Sequence, residues 1–175
     1  EPTLASNGMG EINLIELPST QLLKGEQAVV QFRQLFEEWK LMLAACMVGL
    51  SLEALITASE YAIERKQFDV PIGSFQAISH PLADLLTASD GGRLISWKTL
   101  HDIAKGKPDA GALISLSAWW NIHTAARVVA QALHTFGGYG LTTEYDIHLY
   151  NLRAKAWPLV IGDPEKLLAE GARRL

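Results

Sequence analysis

The sequence predicts an all-α fold, an antiparallel bundle of four main helices. Apolar residues recur at helical spacing over long stretches, and short breaks rich in glycine and proline separate those stretches. No repeat or low-complexity tract interrupts the pattern.

With 175 residues the chain can bury a core. Its 49% hydrophobic and 19% charged residues are those of a globular domain, not a disordered one. The net charge is −4, and no basic block stands out, which excludes a general nucleic-acid binder. Cys46 is the only cysteine, so neither a disulfide framework nor a cysteine-based zinc cluster is expected. It sits in an apolar run and reads as a small core residue. Neither a secretory signal nor an apolar stretch long enough to span a membrane is read, so a cytoplasmic location is expected.

Residues 1–17 read as loop and short strand, punctuated by Gly8, Gly10 and Pro18. The first helix is predicted from Glu26 to Lys66. Phe32, Phe36, Trp39, Leu43, Cys46 and Leu50 fall on one stripe, broadened by the flanking Leu35, Met42, Met47 and Leu55, which is read as its buried face. At roughly 60 Å such a helix suits a bundle. Pro71 and Gly73 mark a turn over Asp69 to Ser74, where Gly73 can take positive φ and Ser74 can cap the next helix. Phe75, Ile78, Leu82, Leu85 and Leu86 give the buried side of that second helix. Pro81 predicts a kink or an irregular first turn. Asp90-Gly91-Gly92 is a weak point, but the pattern resumes at Leu94, Ile95, Trp97 and Leu100, which favours one continuous helix.

Lys105 to Asp109 is the next break, and a third helix runs to about Thr135. The adjacent Trp119 and Trp120 cannot share a face, so one should enter the core and the other an interface. Gly137, Gly138 and Gly140 end that helix. They read either as a helix cap and loop or as a place where backbone approaches a ligand. A fourth helix is predicted from Thr143 to Trp157, stopped by Pro158. Asp163 and Pro164 then start a short last one.

The stretch Tyr61 to Asp84 carries the most chemistry. Arg65, Lys66 and Gln67 stand on one side of its turn, and Phe75 and Gln76 on the other. A cation, an aromatic ring and amides at such a corner can hold a phosphate and a flat ring. An ordinary helix corner with a solvated arginine accounts for the same residues.

The phrase from Tyr61 to Asp84 resembles the signature of the flavin-dependent acyl-CoA dehydrogenases, where it sits in the C-terminal helical domain. Phe136-Gly137-Gly138-Tyr139-Gly140 with Thr143-Glu144-Tyr145 is similar to a second phrase of that family. The resemblance runs from about Gly25 to Gly162. It implies that residues 1–24 are the end of a preceding β domain and its linker, and that residues 25–175 are the helical bundle. It also implies FAD as cofactor, an acyl-CoA substrate, an electron-transfer acceptor, and assembly with like subunits in a homo- or hetero-oligomer. Arg65, Gln67, Phe68, Phe75 and Gln76 match positions that meet the FAD of a neighbouring subunit. Gly137 and Gly138 belong to the same cofactor set. His134 stands where the family has a glutamine, with Gln131 one helical turn back. A guanidinium suits the pyrophosphate, since it forms paired hydrogen bonds and stays charged.

Members of the family use a glutamate to take the α-proton of the thioester. Its common position falls here on Ile161, and its alternative position, in the first helix, on Trp39. Neither side chain accepts a proton. Glu38 and Asp163 lie close in sequence but point elsewhere or need a rearranged loop. The chain resembles the partner without a base in two-chain bacterial enzymes of steroid side-chain degradation. The rival reading is a non-enzymatic assembly subunit with the same bundle. The five histidines, His80, His101, His123, His134 and His148, form no i,i+4 pair, so no metal site is expected.

Overall fold

A computed structural model describes Asn13, Ile15, Glu16, Thr20 and residues 23–175. Of the segment Ile12–Leu17 only Asn13, Ile15 and Glu16 are described, and most of the stretch expected to end a β domain lies outside the described residues. The described chain is helical: α1 (Glu26–Glu64), α2 (Gln76–Ala104), α3 (Ala110–Phe136), α4 (Ile147–Ala156) and α5 (Pro164–Ala172). A small antiparallel hairpin of β1 (Lys66–Gln67) and β2 (Val70–Pro71) joins α1 to α2. Helix α3 is the hub and packs on each of the other four helices. Paired positions show α2 running antiparallel to it, with Asn121 against Gly92 and Ser117 against Ser96.

The expected breaks fall where glycine and proline chemistry puts them. Asp163 caps α5, its Oδ1 accepting from Glu165 N at 3.0 Å, and Pro164 opens the helix. Helix α2 runs unbroken through Gly91 and Gly92. Its first turn is irregular, since Phe75 O accepts from both Ile78 N and Ser79 N ahead of Pro81. Helix α4 begins at Ile147, four residues later than the sequence suggests, because Gly137–Leu141 continue as a 3₁₀ turn.

Several expectations are corrected. The buried face of α1 is Lys40, Leu43, Ala44, Met47, Leu50, Ser51, Ala54, Leu55, Ala58 and Ala62. The stripe read as buried is only partly so: Phe32, Trp39 and Cys46 are exposed. Helix α1 is apolar around most of its circumference, and α3 selects the face whose alanines allow close approach. That helix does contain an apolar window long enough to cross a membrane, with a mean hydropathy of 2.0. Within the bundle 44% of the window is buried. Ser74 does not cap α2; its hydroxyl donates to Pro71 O at 2.7 Å, and Phe75 holds the cap position.

Helix α2 is turned in an unexpected sense. Leu82 and Leu85 are buried, but Phe75 and Leu86 are exposed. Beyond them its inward face is Ser89, Gly92, Ser96, Thr99 and Asp102. Leu94, Trp97, Leu100 and Ile103 face outward. Ser89 bonds back to Leu85 O within α2, whereas Ser96 and Thr99 reach groups of α3. Asn121 Nδ2 donates to Gly92 O at 3.2 Å and Ser96 Oγ at 3.0 Å. Ser96 and Ser117 hydroxyls lie 2.9 Å apart. Asp102 pairs with Lys98 and Lys107, and the Lys98 hydrogen bond holds its carboxyl below the usual range despite burial. Trp119 packs against the core, as expected of one of the pair, while Trp120 is exposed, its Nε1 donating to Ala88 O at 3.0 Å.

Candidate functional site

The site is built at the end of α1. Arg65 leaves the helix with its N–H still donating to Tyr61 O at 2.9 Å, and its own carbonyl accepts from Ile72 N at 2.8 Å. Between these bonds the hairpin pairs Lys66 with Pro71 and Gln67 with Val70. The turn between the strands consists of Phe68 and Asp69, with φ of 54° and 64°. Two consecutive positive φ values are the geometry of a type I′ turn, which favours asparagine and glycine. A phenylalanine there costs on the order of 1–2 kcal/mol. The strained turn throws the Phe68 ring outward at 88% exposure. Its ring meets Phe75 edge to face, with centroids 6.2 Å apart.

Gly73 has a different role from the one expected. Its φ is not positive; a Cβ there would lie 3.1 Å from Ala62 O, so glycine lets the turn close onto α1. The buried Ile72 fastens the turn to the bundle. An open apolar groove of about 520 Å³ runs beside it between α1 and α2, lined by Ala62, Ile63, Pro71 and Leu82.

The two sequence phrases meet in space. Tyr61 stacks on Phe136 at 4.0 Å. Tyr145 packs edge-on against both, at 5.7 Å from Tyr61 and 5.0 Å from Phe136. Burial pushes the Tyr61 hydroxyl up, against the opposing charge of Arg65, so it stays protonated. Gly137 ends α3 with φ of 60°, its N–H donating to the carbonyls of His134 and Leu133. Gly140 is held by packing: a Cβ there would stand 3.1 Å from both Leu133 and Phe136. Gly138 faces open space. Tyr139 reaches back over Arg65, whose guanidinium carbon lies 5.5 Å from its ring centre.

Arg65, Gln67, Phe68, Phe75 and Gln76 therefore share one exposed corner. Gly137 and Gly138 adjoin it through Tyr139. His134 stands on the exposed side of the last turn of α3, and its ring makes no hydrogen bond or ion pair among the described residues. Gln131 Nε2 is buried and likewise unpaired there. Sequence reasoning missed Tyr139; the signal was its place inside the glycine phrase.

The corner fits the phosphate and flat ring of a flavin nucleotide. Arg65 is exposed and has no carboxylate partner among the described residues, and two aromatic rings stand beside it.

The two positions at which the resemblance expects a base are occupied by Trp39 and Ile161. Trp39 is half exposed and packs edge-on to Phe36 at 6.2 Å. Glu38 accepts from Gln34 at 3.1 Å on the surface. Lys40 points to the opposite side, into the bundle. Ile161 ends a 3₁₀ turn and packs against the core. The Asp163 carboxylate is occupied as a helix cap. A second groove of about 270 Å³ lies between α1 and α4, with Glu53, Tyr150 and Arg153 among its lining residues.

Residues 29–175 match the family model described as acyl-CoA dehydrogenase, C-terminal domain. The chain is 29% identical to acyl-CoA dehydrogenase FadE27 of Mycobacterium tuberculosis, over 98% of its own length and 48% of the relative's. It is 34% identical to acyl-CoA dehydrogenase IpdE2 of the same organism, over 73% of this chain and 38% of that one. Among solved structures, the ChsE4–ChsE5 complex from Mycobacterium tuberculosis superposes with a TM-score of 0.77 at 30% identity, covering 85% of this chain and 40% of that one. The chain thus spans less than half the length of these relatives. With the family model matched over most of its length, and both signature phrases folded into one corner, the chain belongs to the acyl-CoA dehydrogenase family as its C-terminal helical domain.

Proposed function

We propose that this chain is the helical part of an FAD-dependent acyl-CoA dehydrogenase subunit that lends its corner to flavin at a subunit interface and supplies no catalytic base. One observation carries the reading: Arg65, without a carboxylate partner among the described residues, stands beside a strained turn that holds Phe68 in solvent. Arg65 binds the pyrophosphate by paired hydrogen bonds, Phe68 and Phe75 cover a flat ring, and Gln67 and Gln76 offer amide donors. His134, Gly137 and Gly138 complete the cofactor set, with Gln131 close behind His134. The flavin, when bound, accepts the hydride from the acyl β-carbon.

The α-proton then has to go to another chain, because Trp39 and Ile161 cannot take it and Asp163 is engaged. The partner is a homologous subunit carrying the glutamate. In support, a relative of similar fold is a complex of two differently named chains. The outward face of α2, with Leu94, Trp97 and Leu100, gives this assembly an apolar surface. The substrate is an acyl-CoA, of the lipid or steroid class, and electrons pass on to an external acceptor. The same α2 surface also suits the rival reading, an assembly subunit without flavin.

Anaerobic reduction by a panel of acyl-CoAs tests the proposal, using the full-length protein alone and with a co-encoded homologue. Flavin bleaching only with the homologue is expected. Bleaching by the protein alone overturns the base-less assignment, and a colourless, stable complex favours the assembly subunit. Arg65→Ala is expected to weaken FAD binding about tenfold to a hundredfold, the scale of a charged hydrogen bond. Unchanged retention of FAD by that variant would remove Arg65 from the site.

A further inference from the structure

We propose that Tyr139 is a positioning residue for Arg65: its ring holds the guanidinium at the corner, ready for the phosphate of a flavin nucleotide. The inference rests on the flavin reading above and adds a residue to it.

The guanidinium carbon of Arg65 lies 5.5 Å from the centre of the Tyr139 ring. That is within range for a cation to be drawn to the face of an aromatic ring. No carboxylate competes for Arg65 among the described residues. An exposed arginine free of partners samples many rotamers, and binding an anion must freeze them. A ring that already holds the guanidinium reduces that cost without consuming its hydrogen-bond donors. An acidic partner would hold Arg65 too, but it would also cancel the charge that draws the phosphate.

Tyr139 is itself held in place. Its carbonyl accepts from Thr142 Oγ1 at 2.9 Å and Thr142 N at 3.1 Å. Its ring meets Tyr145 edge-on at 6.3 Å. Tyr145 in turn packs on Phe136, which is buried in the core. A row of rings thus runs from the bundle interior to the arginine. The crowded Gly140 and the cap at Gly137 fix the backbone on both sides of Tyr139.

The test measures the FAD dissociation constant of the full-length protein, purified with its subunits. The variants are Tyr139→Leu, Tyr139→Phe and Tyr139→Trp, alongside Arg65→Gln and the Arg65→Gln/Tyr139→Leu pair. Tyr139→Leu should weaken binding about tenfold, the range for a ring–cation contact shielded by bound ligand. Tyr139→Phe and Tyr139→Trp should stay within about twofold of wild type, since the ring face is kept. Adding Tyr139→Leu to Arg65→Gln should cost nothing further, because the ring acts through the arginine. A Tyr139→Leu protein that binds FAD normally, while Arg65→Gln does not, overturns the proposal and leaves the flavin reading standing. Equal losses in Tyr139→Phe and Tyr139→Leu also overturn it, since the hydroxyl would then be the active group. Fully additive losses in the pair would show that Tyr139 acts independently of Arg65 and would overturn the proposal. An Arg65→Gln protein with unchanged affinity would remove the flavin reading itself.

Discussion

Replacing both Glu37 and Glu170 with glutamine is expected to destabilise the full-length protein by about 3–5 kcal/mol, the cost of leaving a buried charge unpaired. Lys40 is only 2% exposed. Its Nζ lies 3.0 Å from Glu37 Oε1 and 2.8 Å from Glu170 Oε2. Arg174 closes the set from the other side, at 3.1 Å from each of the same two carboxylates, and donates to Gly111 O at 3.2 Å. The network therefore ties α1, α3 and α5 together. Removing both acids strands the ammonium of Lys40 where water does not reach it. Adding Lys40→Met to the double variant should recover much of the loss, since an apolar chain of similar length fills the same space without charge. Thermal unfolding of the three proteins checks this. A double variant that melts with wild type would mean that Lys40 finds water in the folded state.

The same network sets a response to acid. Burial pushes the Glu170 carboxyl up, but the hydrogen bond and charge of Lys40, with the charge of Arg174, outweigh it and hold the group below its usual range. A carboxyl lowered on folding stabilises the fold above its unfolded pKa, and that stability is lost as pH falls through the folded value. The wild-type protein should therefore lose more stability on acidification than Glu170→Gln does. A melting temperature measured from neutral pH down through the carboxylate range reads out the difference.

Gly92→Ala is expected to cost about 2–3 kcal/mol, although alanine is the better helix former by about 1 kcal/mol. A Cβ at Gly92 would lie 2.0 Å from Asn121 Oδ1 and 3.1 Å from Trp120 Cδ1. Asn121 cannot swing aside freely, because its Nδ2 donates to Gly92 O, Ser96 Oγ and Ser117 O. Alanine at Gly91 is the control, as its nearest neighbour atom would be 3.6 Å away, on Trp120. Gly91→Ala should be neutral or stabilising in the same melt. A Gly92→Ala protein more stable than wild type would show that α2 can move away from α3 at little cost.

The helix ends were legible because their chemistry is local. Lys105 to Asp109, the glycines after Phe136, and Asp163-Pro164 stop or start helices by themselves. The corner was legible through its motif, which places Arg65 and Phe68 without any need for coordinates. The buried face of α1 was not legible. Phe32 and Met47 are equally apolar, and only the docking of α3 separates one as exposed from the other as core. The orientation of α2 was misleading for a similar reason. Leu94 and Trp97 look like core residues, but Ser96 and Gly92 take the inner positions because Asn121 and Ser117 satisfy them there. The type I′ turn was hidden by its residues, since neither phenylalanine nor aspartate followed by valine announces positive φ.

The polar seam between α2 and α3 has a consequence for hydrogen exchange. The core joins Met47, Leu50 and Leu55 of α1 to Ile122, Val128 and Phe136 of α3, while the last large side chain α2 gives it is Leu85. From Ser89 onward α2 is fastened by hydroxyl and amide contacts whose net worth is modest. Its amides should therefore exchange through partial opening, well before those of α1 and α3, which wait for global unfolding. The boundary should fall near Ser89, in the middle of one continuous helix, so that a single secondary-structure element is divided between two units of cooperativity.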